Sequence, residues 1–278
     1  MVLGIGGCRG MSGAITFAGR AALTVGAGLV RLAVPDPILE TVAVATPESM
    51  TVPLRSDRRG RIALDALPEI LEQLERVTAV ALGPGLGRSL GLSRLVERLY
   101  ATLPLPLVVD ADALNALAER GIPSVPNMLR VLTPHRGEFE RLYSKASRHA
   151  EASTLVTHAA DFAARHQVIL VLKGVPTLIA VPEQPVISLH VGNPGMATGG
   201  SGDLLTGILA GLLAQAPGIN MKAATLIERG VRLHGLAGDL AAASRSEQAV
   251  TAGAILDFLP EAIRQFDGEA GAAGLAKR

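Results

Sequence analysis

The sequence has 278 residues, 49% of them hydrophobic, and a formal net charge of only +1. This length and composition allow a substantial core, and we predict one domain over residues 1–266. The near-neutral charge and the 3% aromatic content argue against binding to a nucleic-acid polymer. The single cysteine excludes an intramolecular disulfide, and the apolar stretches are too interrupted to cross a membrane, so we expect a cytoplasmic protein.

The first third of the chain predicts alternating strands and helices. A buried strand at 2–7 runs into a glycine turn, a helix of small residues follows at 13–28, and a second strand is expected at 29–34. Small residues such as Ala14 indicate either tight helix packing or direct contact with a ligand. The run 55–61 holds four arginines and one aspartate, which is typical of a solvated loop rather than of an anion site.

Two further predicted strands end in residues that suit a ligand site. The strand at 77–82 runs into the turn GPGLG, and the strand at 106–109 delivers Asp110 and Asp112. Because parallel strands collect ligands at their carboxyl ends, both are site candidates, although GPGLG also suits a simple strand-to-helix turn. The two carboxylates suit a Mg²⁺ ion bound through water, while Asp112 equally suits the N-cap of the following helix.

The segment after a short strand at 131–132 has the sequence TPHRGE and begins a new helix. Pro134 keeps the residue before it extended. Glu138 falls in the first helical turn, where a carboxylate usually interacts with the helix dipole. Residues 144–153 are polar and predict an exposed connection.

The middle of the chain predicts a helix at 150–165 and a buried strand at 168–172 that ends at Lys173. A lysine at a strand end is more often a surface charge than a ligand. The alternating stretches 177–181 and 186–191 predict an antiparallel ribbon beside the parallel sheet.

The segment 192–215 is the most informative part of the chain. Its first half is rich in turn-forming glycines, and its second half places leucines at helical spacing, with the junction just before Asp203. Gly207 and Gly211, which are costly inside a helix, indicate close approach of another backbone. The free N–H groups and the dipole at the start of such a helix form an anion site. Asp203 is then either a dipole partner or a general base beside a bound phosphate.

Two more helices are expected at 221–242 and 251–266, and the Gly/Ala-rich tail at 267–278 is predicted to be disordered. The order of the elements predicts a three-layer α/β domain with its site along one edge of the sheet. From the residues alone, these features indicate a small-molecule phosphotransferase.

Several of these segments resemble one enzyme family. The string NPGMATGGSGD at 193–203 contains the GxGD anion-hole motif of ribokinase-like kinases and is similar, in full, to the ADP-dependent NAD(P)H-hydrate dehydratases. The small-residue segment at 13–30 and the motifs GPGLG, DADALN, TPHRGE and KGVPT follow the order of that family. The resemblance covers roughly residues 2–215, with Arg136 in place of the usual proline and without the family's His-Lys-Gly-like lead-in.

The resemblance implies a fold, a reaction and a set of site residues. The fold is a ribokinase-like three-layer α/β/α sandwich with a mostly parallel central sheet. The reaction is ADP-dependent dehydration of the S epimer of hydrated NADH or NADPH, giving AMP and phosphate, with ATP as the alternative donor and with Mg²⁺. The implied residues are Asp203 as catalytic base; Ala14, Gly85, Gly87, His135 and Asp203 for the hydrated dinucleotide; Lys173, Gly174, Val175, Pro176, Thr177 and Gly202 for the nucleotide; Gly199, Gly200, Ser201 and Gly202 for the anion hole; and Glu138 and Asp110 for the metal.

Two other functions stay open at this point. An ATP-dependent vitamin or sugar kinase shares the chemistry of Gly202 and Asp203 but does not need GPGLG, DADALN and TPHRGE together. A catalytically silent nucleotide sensor is disfavoured by the intact Asp203. The resemblance also implies a homotetramer and an NAD(P)H-hydrate epimerase as functional partner, and the interrupted apolar stretches predict no membrane partner. The short lead-in predicts an alternative start, a truncation or separation from a fused domain.

Overall fold

A computed structural model describes residues 1–125, 127–143, 151–218 and 221–275, so most of the connection predicted at 144–153 lies outside the described residues. The strands are β1 (Val2–Ile5), β2 (Val30–Pro35), β3 (Met50–Leu54), β4 (Ala79–Leu82), β5 (Leu107–Val109), β6 (Arg130–Leu132), β7 (Ile169–Leu172), β8 (Thr177–Ala180) and β9 (Ile187–Leu189). The helices are α1 (Ser12–Thr24), α2 (Leu39–Ala45), α3 (Leu67–Glu72), α4 (Leu90–Thr102), α5 (Ala111–Arg120), α6 (Arg136–Leu142), α7 (Ala152–His166), α8 (Ser201–Gln215), α9 (Ala223–Arg245) and α10 (Ala252–Leu275).

The described strands form one sheet in the order β3-β2-β1-β4-β5-β6-β7-β8-β9. The pairs from β3 to β7 are all parallel. β8 and β9 are antiparallel, with Thr177 opposite Leu189, which confirms the predicted ribbon. Because the parallel strands share one direction, their carboxyl ends all lie at the same edge of the sheet.

Alternating side chains divide the core into two layers. In β4, Ala79 and Ala81 belong to the cluster that contains α1, α8, α9 and α10. Val80 and Leu82, which point to the opposite face, belong to the cluster that contains α3 to α7. Each group of helices therefore buries one face of the sheet, and the structure confirms the three-layer α/β/α sandwich.

The central helix α8 packs closely against α1, as its glycines predict. A Cβ atom added to Gly207 would collide with the carbonyl oxygen of Ala18. One added to Gly211 would lie 2.7 Å from the carbonyl oxygen of Ala22. The two backbones can approach only because both positions lack a side chain, and this packing fixes α8 relative to α1.

Some elements differ from the prediction. The sequence patterns do not predict α2, β3, α3 or α4. The last helix continues to Leu275, so the structure assigns helix to 267–275, where disorder is predicted. Alanine favours helix in this stretch, and Asp267 forms a 2.8 Å ion pair with Arg229. Of the helices that are described, none combines the length and apolarity needed to cross a bilayer.

The carboxyl ends of the parallel strands bring the predicted site segments together. A glycine pair follows β1, the GPGLG turn follows β4, Asp110 follows β5, TPHRGE follows β6, and Lys173 follows β7. The last two segments are joined directly, because the N–H of Lys173 donates to the carbonyl oxygen of Pro134 over 2.8 Å. The topology therefore produces the predicted site edge.

Candidate active site

A cavity of about 470 Å³, here called the main cavity, opens at this edge between the start of α8, the loop after β7 and one side of α9. Of the residues predicted for the site, its lining includes Asp110, His135, Lys173, Gly174, Val175, Thr177, Gly200, Ser201, Gly202 and Asp203. Residues predicted for the nucleotide, the anion hole and the catalytic base are thus mostly gathered in one space. Its size suits a small-molecule ligand.

The anion-hole segment ends in a glycine that the backbone requires. Gly200 is the N-cap residue of α8 and has a φ of +92°, in the left-handed region. A Cβ atom at this position would lie 2.9 Å from the Cβ of Ala252 and 3.1 Å from the ring of Phe17. The N–H of Ser201 donates to the carbonyl of Thr198, but glycine has no side chain to cap the N–H groups that follow, so these are left for an anion in the main cavity.

Asp203 lies in the first turn of α8 and lines the main cavity. Burial raises the pKa of its carboxyl group to about 7, and the nearby carboxylates of Asp110, Asp112 and Glu138 act in the same direction. Lys173 opposes this increase in part. A carboxyl group with a pKa near neutrality can accept a proton from a hydroxyl group, which is the property that a general base needs.

Lys173 connects the acidic groups of the site. Its Nζ lies 2.8 Å from Oδ1 of Asp110 and 4.0 Å from Oε2 of Glu138. Burial alone would lower its pKa, but these two carboxylates raise the pKa above its ordinary value, so the ammonium group stays charged. A Cβ atom on Gly202 would lie only 3.1 Å from Nζ. The charge therefore lies beside the anion hole, at the phosphate end of any nucleotide bound there.

Asp110 is held by two side chains. Its carboxylate is 1% exposed, and Oδ2 accepts a 2.8 Å hydrogen bond from the hydroxyl of Thr206 while Oδ1 is bound to Lys173. Thr206 belongs to α8, four residues after Gly202, and its hydroxyl also donates to the Gly202 carbonyl. No sequence motif identifies Thr206, although a polar residue within an apolar helix is the signal that could have found it.

His135 and Glu138 form a capping box at the start of α6. Nδ1 of His135 accepts hydrogen bonds from the N–H groups of Gly137 and Glu138, and Oε2 of Glu138 accepts one from the N–H of His135 at 2.8 Å. The dipole role predicted for Glu138 is therefore accompanied by a capping role. His135 still lines the main cavity, with 56% of its side chain exposed. Arg136 occupies the first helical position without interrupting this cap.

The GPGLG turn is built from closely packed backbone. Gly85 has a φ of +66°, and a Cβ atom there would lie 2.5 Å from the carbonyl oxygen of Met11 and 3.0 Å from the Cβ of Ala14. The N–H of Gly87 donates to Oδ2 of Asp112 over 2.8 Å. Asp112 therefore fixes this turn, and its prediction as a helix N-cap is wrong, because the N-cap of α5 is Asp110. Ala14, Gly85 and Gly87 lie outside the lining of the main cavity.

The loop after β7 contributes most of its predicted residues to the main cavity. Gly174, Val175 and Thr177 line it, and the Thr177 hydroxyl donates to the Gly174 carbonyl over 3.0 Å. Pro176 instead lines a smaller cavity of about 170 Å³ beside the first, together with Arg136.

The arginine run at 55–61, which is predicted to be a solvated loop, is exposed only in part. Arg58 and Arg59 are exposed, whereas Arg61 packs against Gly87.

His234 on α9 lines the main cavity and was not predicted. Its Nε2 lies 3.2 Å from Oγ of Ser201, the first residue of α8. Burial lowers the pKa of His234 to about 4, so the imidazole is neutral at physiological pH. No local motif surrounds it in the sequence, and only its packing against α8 brings it to the site.

The donor set suits a metal ion only in combination with a phosphate ligand. The described residues contain no group of three His, Cys, Asp or Glu side chains that could hold a metal ion. Mg²⁺, however, needs only one or two protein carboxylates when it binds with phosphates and waters. Of the two predicted carboxylates, Asp110 has both oxygens bonded, to Lys173 and Thr206, whereas Glu138 has Oε2 bonded to the N–H of His135 and Oε1 3.5 Å from the imidazole of His135.

Comparison with known proteins agrees with this geometry. A family model described as NAD(P)H-hydrate dehydratase matches residues 2–261. The bifunctional NAD(P)H-hydrate repair enzyme Nnr of Moorella thermoacetica is 45% identical over 271 residues, covering 96% of this chain and 50% of the relative. The Nnr of Coxiella burnetii is 39% identical over 251 residues, covering 90% and 48%. The chain thus spans about half the length of these relatives.

Among the solved structures, some are similar to this chain in sequence and fold, and others share the fold alone. The ADP/ATP-dependent NAD(P)H-hydrate dehydratase of Bacillus subtilis superimposes with a TM-score of 0.80 at 27% identity, covering 95% of this chain and 91% of that chain. The hydroxyethylthiazole kinase of Pyrococcus horikoshii, with a TM-score of 0.57 at 13% identity over 89% of this chain and 96% of its own, shares the fold alone. From the match over residues 2–261 and these similarities, the chain belongs to the NAD(P)H-hydrate dehydratase family, on a ribokinase-like fold.

Proposed function

We propose that this chain dehydrates hydrated NADH and NADPH of the S configuration, using ADP or ATP as phosphoryl donor. The observation that carries the proposal is the position of Asp203, a carboxyl group with a pKa of about 7 at the glycine-capped start of α8 and beside the main cavity. The Bacillus subtilis relative, described as ADP/ATP-dependent and co-crystallised with ATP/Mg²⁺, supports the choice of donor.

The reaction proceeds through a phosphorylated intermediate. Asp203 takes the proton of the ring hydroxyl while that oxygen attacks the terminal phosphorus of ADP, and the bond from this phosphorus to AMP breaks. The carbon–oxygen bond of the phosphorylated ring then breaks. Phosphate leaves with the bonding electrons, a proton leaves the neighbouring carbon, and the ring double bond of the reduced nicotinamide forms. Phosphorylation is needed because hydroxide is a poor leaving group and phosphate is a good one.

The neighbouring residues stabilise charge on the transferring group. The N–H of Gly202, in the first turn of α8, and the ammonium of Lys173 would face the negative charge that develops on the phosphoryl oxygens. The residues predicted for the nucleotide, from Lys173 to Thr177, would hold the rest of ADP, and Ala14, Gly85, Gly87 and His135 would meet the dinucleotide. Mg²⁺, held by the phosphates and Glu138, would supply further charge neutralisation.

A ribokinase-like kinase is the second candidate function, because Gly202 and Asp203 also suit simple phosphoryl transfer. Such a kinase would release a stable phosphorylated product, whereas the dehydratase releases inorganic phosphate and a reduced nicotinamide. The family match over residues 2–261 and the Nnr relatives favour the dehydratase.

The assembly and the partner of the chain also belong to this proposal. We infer that residues 1–266 act as one domain and assemble as a cytoplasmic homotetramer. The description of the relatives as bifunctional repair enzymes, twice as long as the matched region, supports an NAD(P)H-hydrate epimerase activity as functional partner. Light scattering on the purified chain tests the tetramer.

The decisive experiment is incubation of the chain with a mixture of both epimers of hydrated NADH, with ADP and Mg²⁺. We expect absorbance of the reduced nicotinamide to rise with equimolar AMP and phosphate, and to stop when the S epimer is consumed. An added epimerase should then allow the reaction to reach completion. Formation of a stable phosphorylated compound without reduced nicotinamide would favour the kinase, and binding without turnover would favour a sensor.

A further inference from the structure

His234 is a half-buried titratable residue for which the reaction above has no role. It projects from α9 into the lining of the main cavity, and its Nε2 lies 3.2 Å from Oγ of Ser201. Ser201 is itself 6% exposed and begins α8, two residues before Asp203. The pair therefore joins α9 to the segment where the phosphoryl group is expected.

The charge of the imidazole limits what this pair can do. Burial lowers the pKa of His234 to about 4; hydrogen bonding with the backbone of Ser201 opposes the effect, and the charge of Lys173 adds to it. At neutral pH the ring therefore has one N–H group and one nitrogen lone pair. It cannot neutralise a phosphate as a cation, and its contribution has to come through hydrogen bonds.

The two neutral tautomers place the Ser201 proton differently. If Nε2 carries a lone pair, the serine hydroxyl donates to it and turns oxygen lone pairs toward the cavity, where they repel a phosphoryl oxygen. If Nε2 carries the proton, it donates to Oγ, and the serine proton is free to donate to the phosphoryl oxygen. The second arrangement adds a donor to the anion hole and strengthens it, because hydrogen bonds in a chain polarise one another.

We propose that His234 is a positioning residue whose Nε2–H donates to Ser201 Oγ and turns the serine proton toward the phosphoryl group in the anion hole. The proposal rests on the proposed function, because it assigns to Ser201 a donor role in phosphoryl transfer. It predicts that His234 acts through Ser201 and not by direct contact with the nucleotide.

A double-mutant cycle in kcat tests this dependence. We expect Ser201→Ala to lower kcat about 10- to 100-fold, and His234→Phe, which removes both nitrogens, to lower it about 3- to 10-fold. The double variant should match Ser201→Ala within about twofold, because the histidine has nothing left to position. His234→Gln, whose amide can donate to Oγ, should recover most of the loss. His190→Phe, at an exposed histidine, is the control and should leave kcat unchanged.

Two kinetic outcomes would overturn the proposal. Independent losses, in which the double variant falls by the product of the single factors, would show that His234 acts without Ser201. A higher KM for ADP at unchanged kcat in His234→Phe would indicate direct contact with the nucleotide. If His234→Phe does not fold, His234→Leu replaces it in the same cycle.

The tautomer can be read without turnover, so failure of the proposed function and failure of this proposal are distinguishable. Long-range ¹H–¹⁵N spectra report which ring nitrogen carries the proton, and His234→Gln identifies the His234 signals. With AMP and inorganic phosphate bound, we expect the Nε2–H tautomer. A ring protonated at Nδ1 in that complex would contradict the proposal even in an active enzyme. If wild-type protein binds these ligands but does not dehydrate its substrate, the spectra still decide the tautomer.

Discussion

The main cavity and the GPGLG turn lie at the same edge of the sheet, yet they are built differently. The main cavity is open space of about 470 Å³ with charged groups and free N–H groups in its walls. The turn is closely packed, because a Cβ atom on Gly83 would collide with the carbonyl of Asp110 and one on Gly85 would lie 2.5 Å from the carbonyl of Met11. We propose on this basis that the cavity recognises its ligand by charge and that the turn recognises its ligand by shape. Substitutions in the two regions should therefore have different effects on the two substrates.

The largest effect is expected at Asp203, which lines the main cavity and is the predicted base of the reaction. Asp203→Asn keeps a side chain of nearly the same size in the first turn of α8, but it removes the base. We expect turnover to fall by about 10²- to 10⁴-fold, with both ligands still bound. Rates and ADP titrations on the same preparation measure this, and a variant retaining more than about a tenth of wild-type turnover would remove Asp203 from the catalytic role.

A strong effect is expected at Lys173, which lines the main cavity. Lys173→Met removes the cation beside the anion hole, so we expect ADP affinity to fall about 10- to 100-fold and dinucleotide affinity to fall less. Calorimetric titration of both ligands measures the difference. Equal losses for the two ligands would contradict the assignment of Lys173 to the nucleotide.

The same substitution leaves the buried carboxylate of Asp110 without its cation, which complicates the result. The double variant Lys173→Met/Asp110→Asn removes both charges and should melt at a higher temperature than Lys173→Met. If the double variant recovers stability but not ADP affinity, the loss of affinity belongs to the missing ammonium group and not to local unfolding.

The sequence predicted what local patterns determine. Every described strand except β3, the glycine turns and the start of α8 each have a signal within about ten residues, and these elements lie where they were expected. The pairing of Asp110 with Lys173 joins residues 63 positions apart, and that of Ser201 with His234 joins residues 33 apart. Periodicity shows that a residue faces inward, but it does not show which distant side chain it meets. The roles of Thr206 and His234 could therefore come only from the fold.

A third effect is expected at Gly85, which belongs to the GPGLG turn. Gly85→Ala adds a Cβ atom against the carbonyl of Met11 and the side chain of Ala14, at a positive φ that alanine rarely adopts. We expect KM for the hydrated dinucleotide to rise roughly tenfold while ADP affinity stays within about twofold. Gly91→Ala is the matched control, because a Cβ atom there has its nearest contact at 3.8 Å and an ordinary φ. If the affinity for ADP fell as much as the KM for the dinucleotide rose, the turn and the main cavity would not differ in the substrate that they recognise.

A smaller effect is expected at His135, which lines the cavity but is predicted to contact the dinucleotide. His135→Ala should raise KM for that substrate several-fold, but it also removes the cap of α6, at a cost of about 1 kcal/mol. His135→Asn separates these effects, since asparagine is a good N-cap and lacks the imidazole. We expect the Asn variant to melt like wild type and to keep the raised KM. If His135→Asn instead has the wild-type KM for the dinucleotide, His135 is a structural residue and not a ligand contact.

The smallest effect concerns stability and follows from the environment that makes Asp203 a base. Its pKa is about 7 in the folded chain, against about 3.9 for an unfolded aspartate. Between these values the folded state binds a proton that the unfolded state has lost, so ionisation of Asp203 lowers stability as pH rises from about 4 to 7, and the full cost applies above about 7. Asp203→Asn avoids the cost. We expect it to melt like wild type near pH 4 and a few degrees higher at pH 8. Melting curves across this range, with the exposed Asp36→Asn as control, measure the difference. A constant offset at every pH would mean that the carboxyl group is not held in the raised-pKa environment that the catalytic proposal requires.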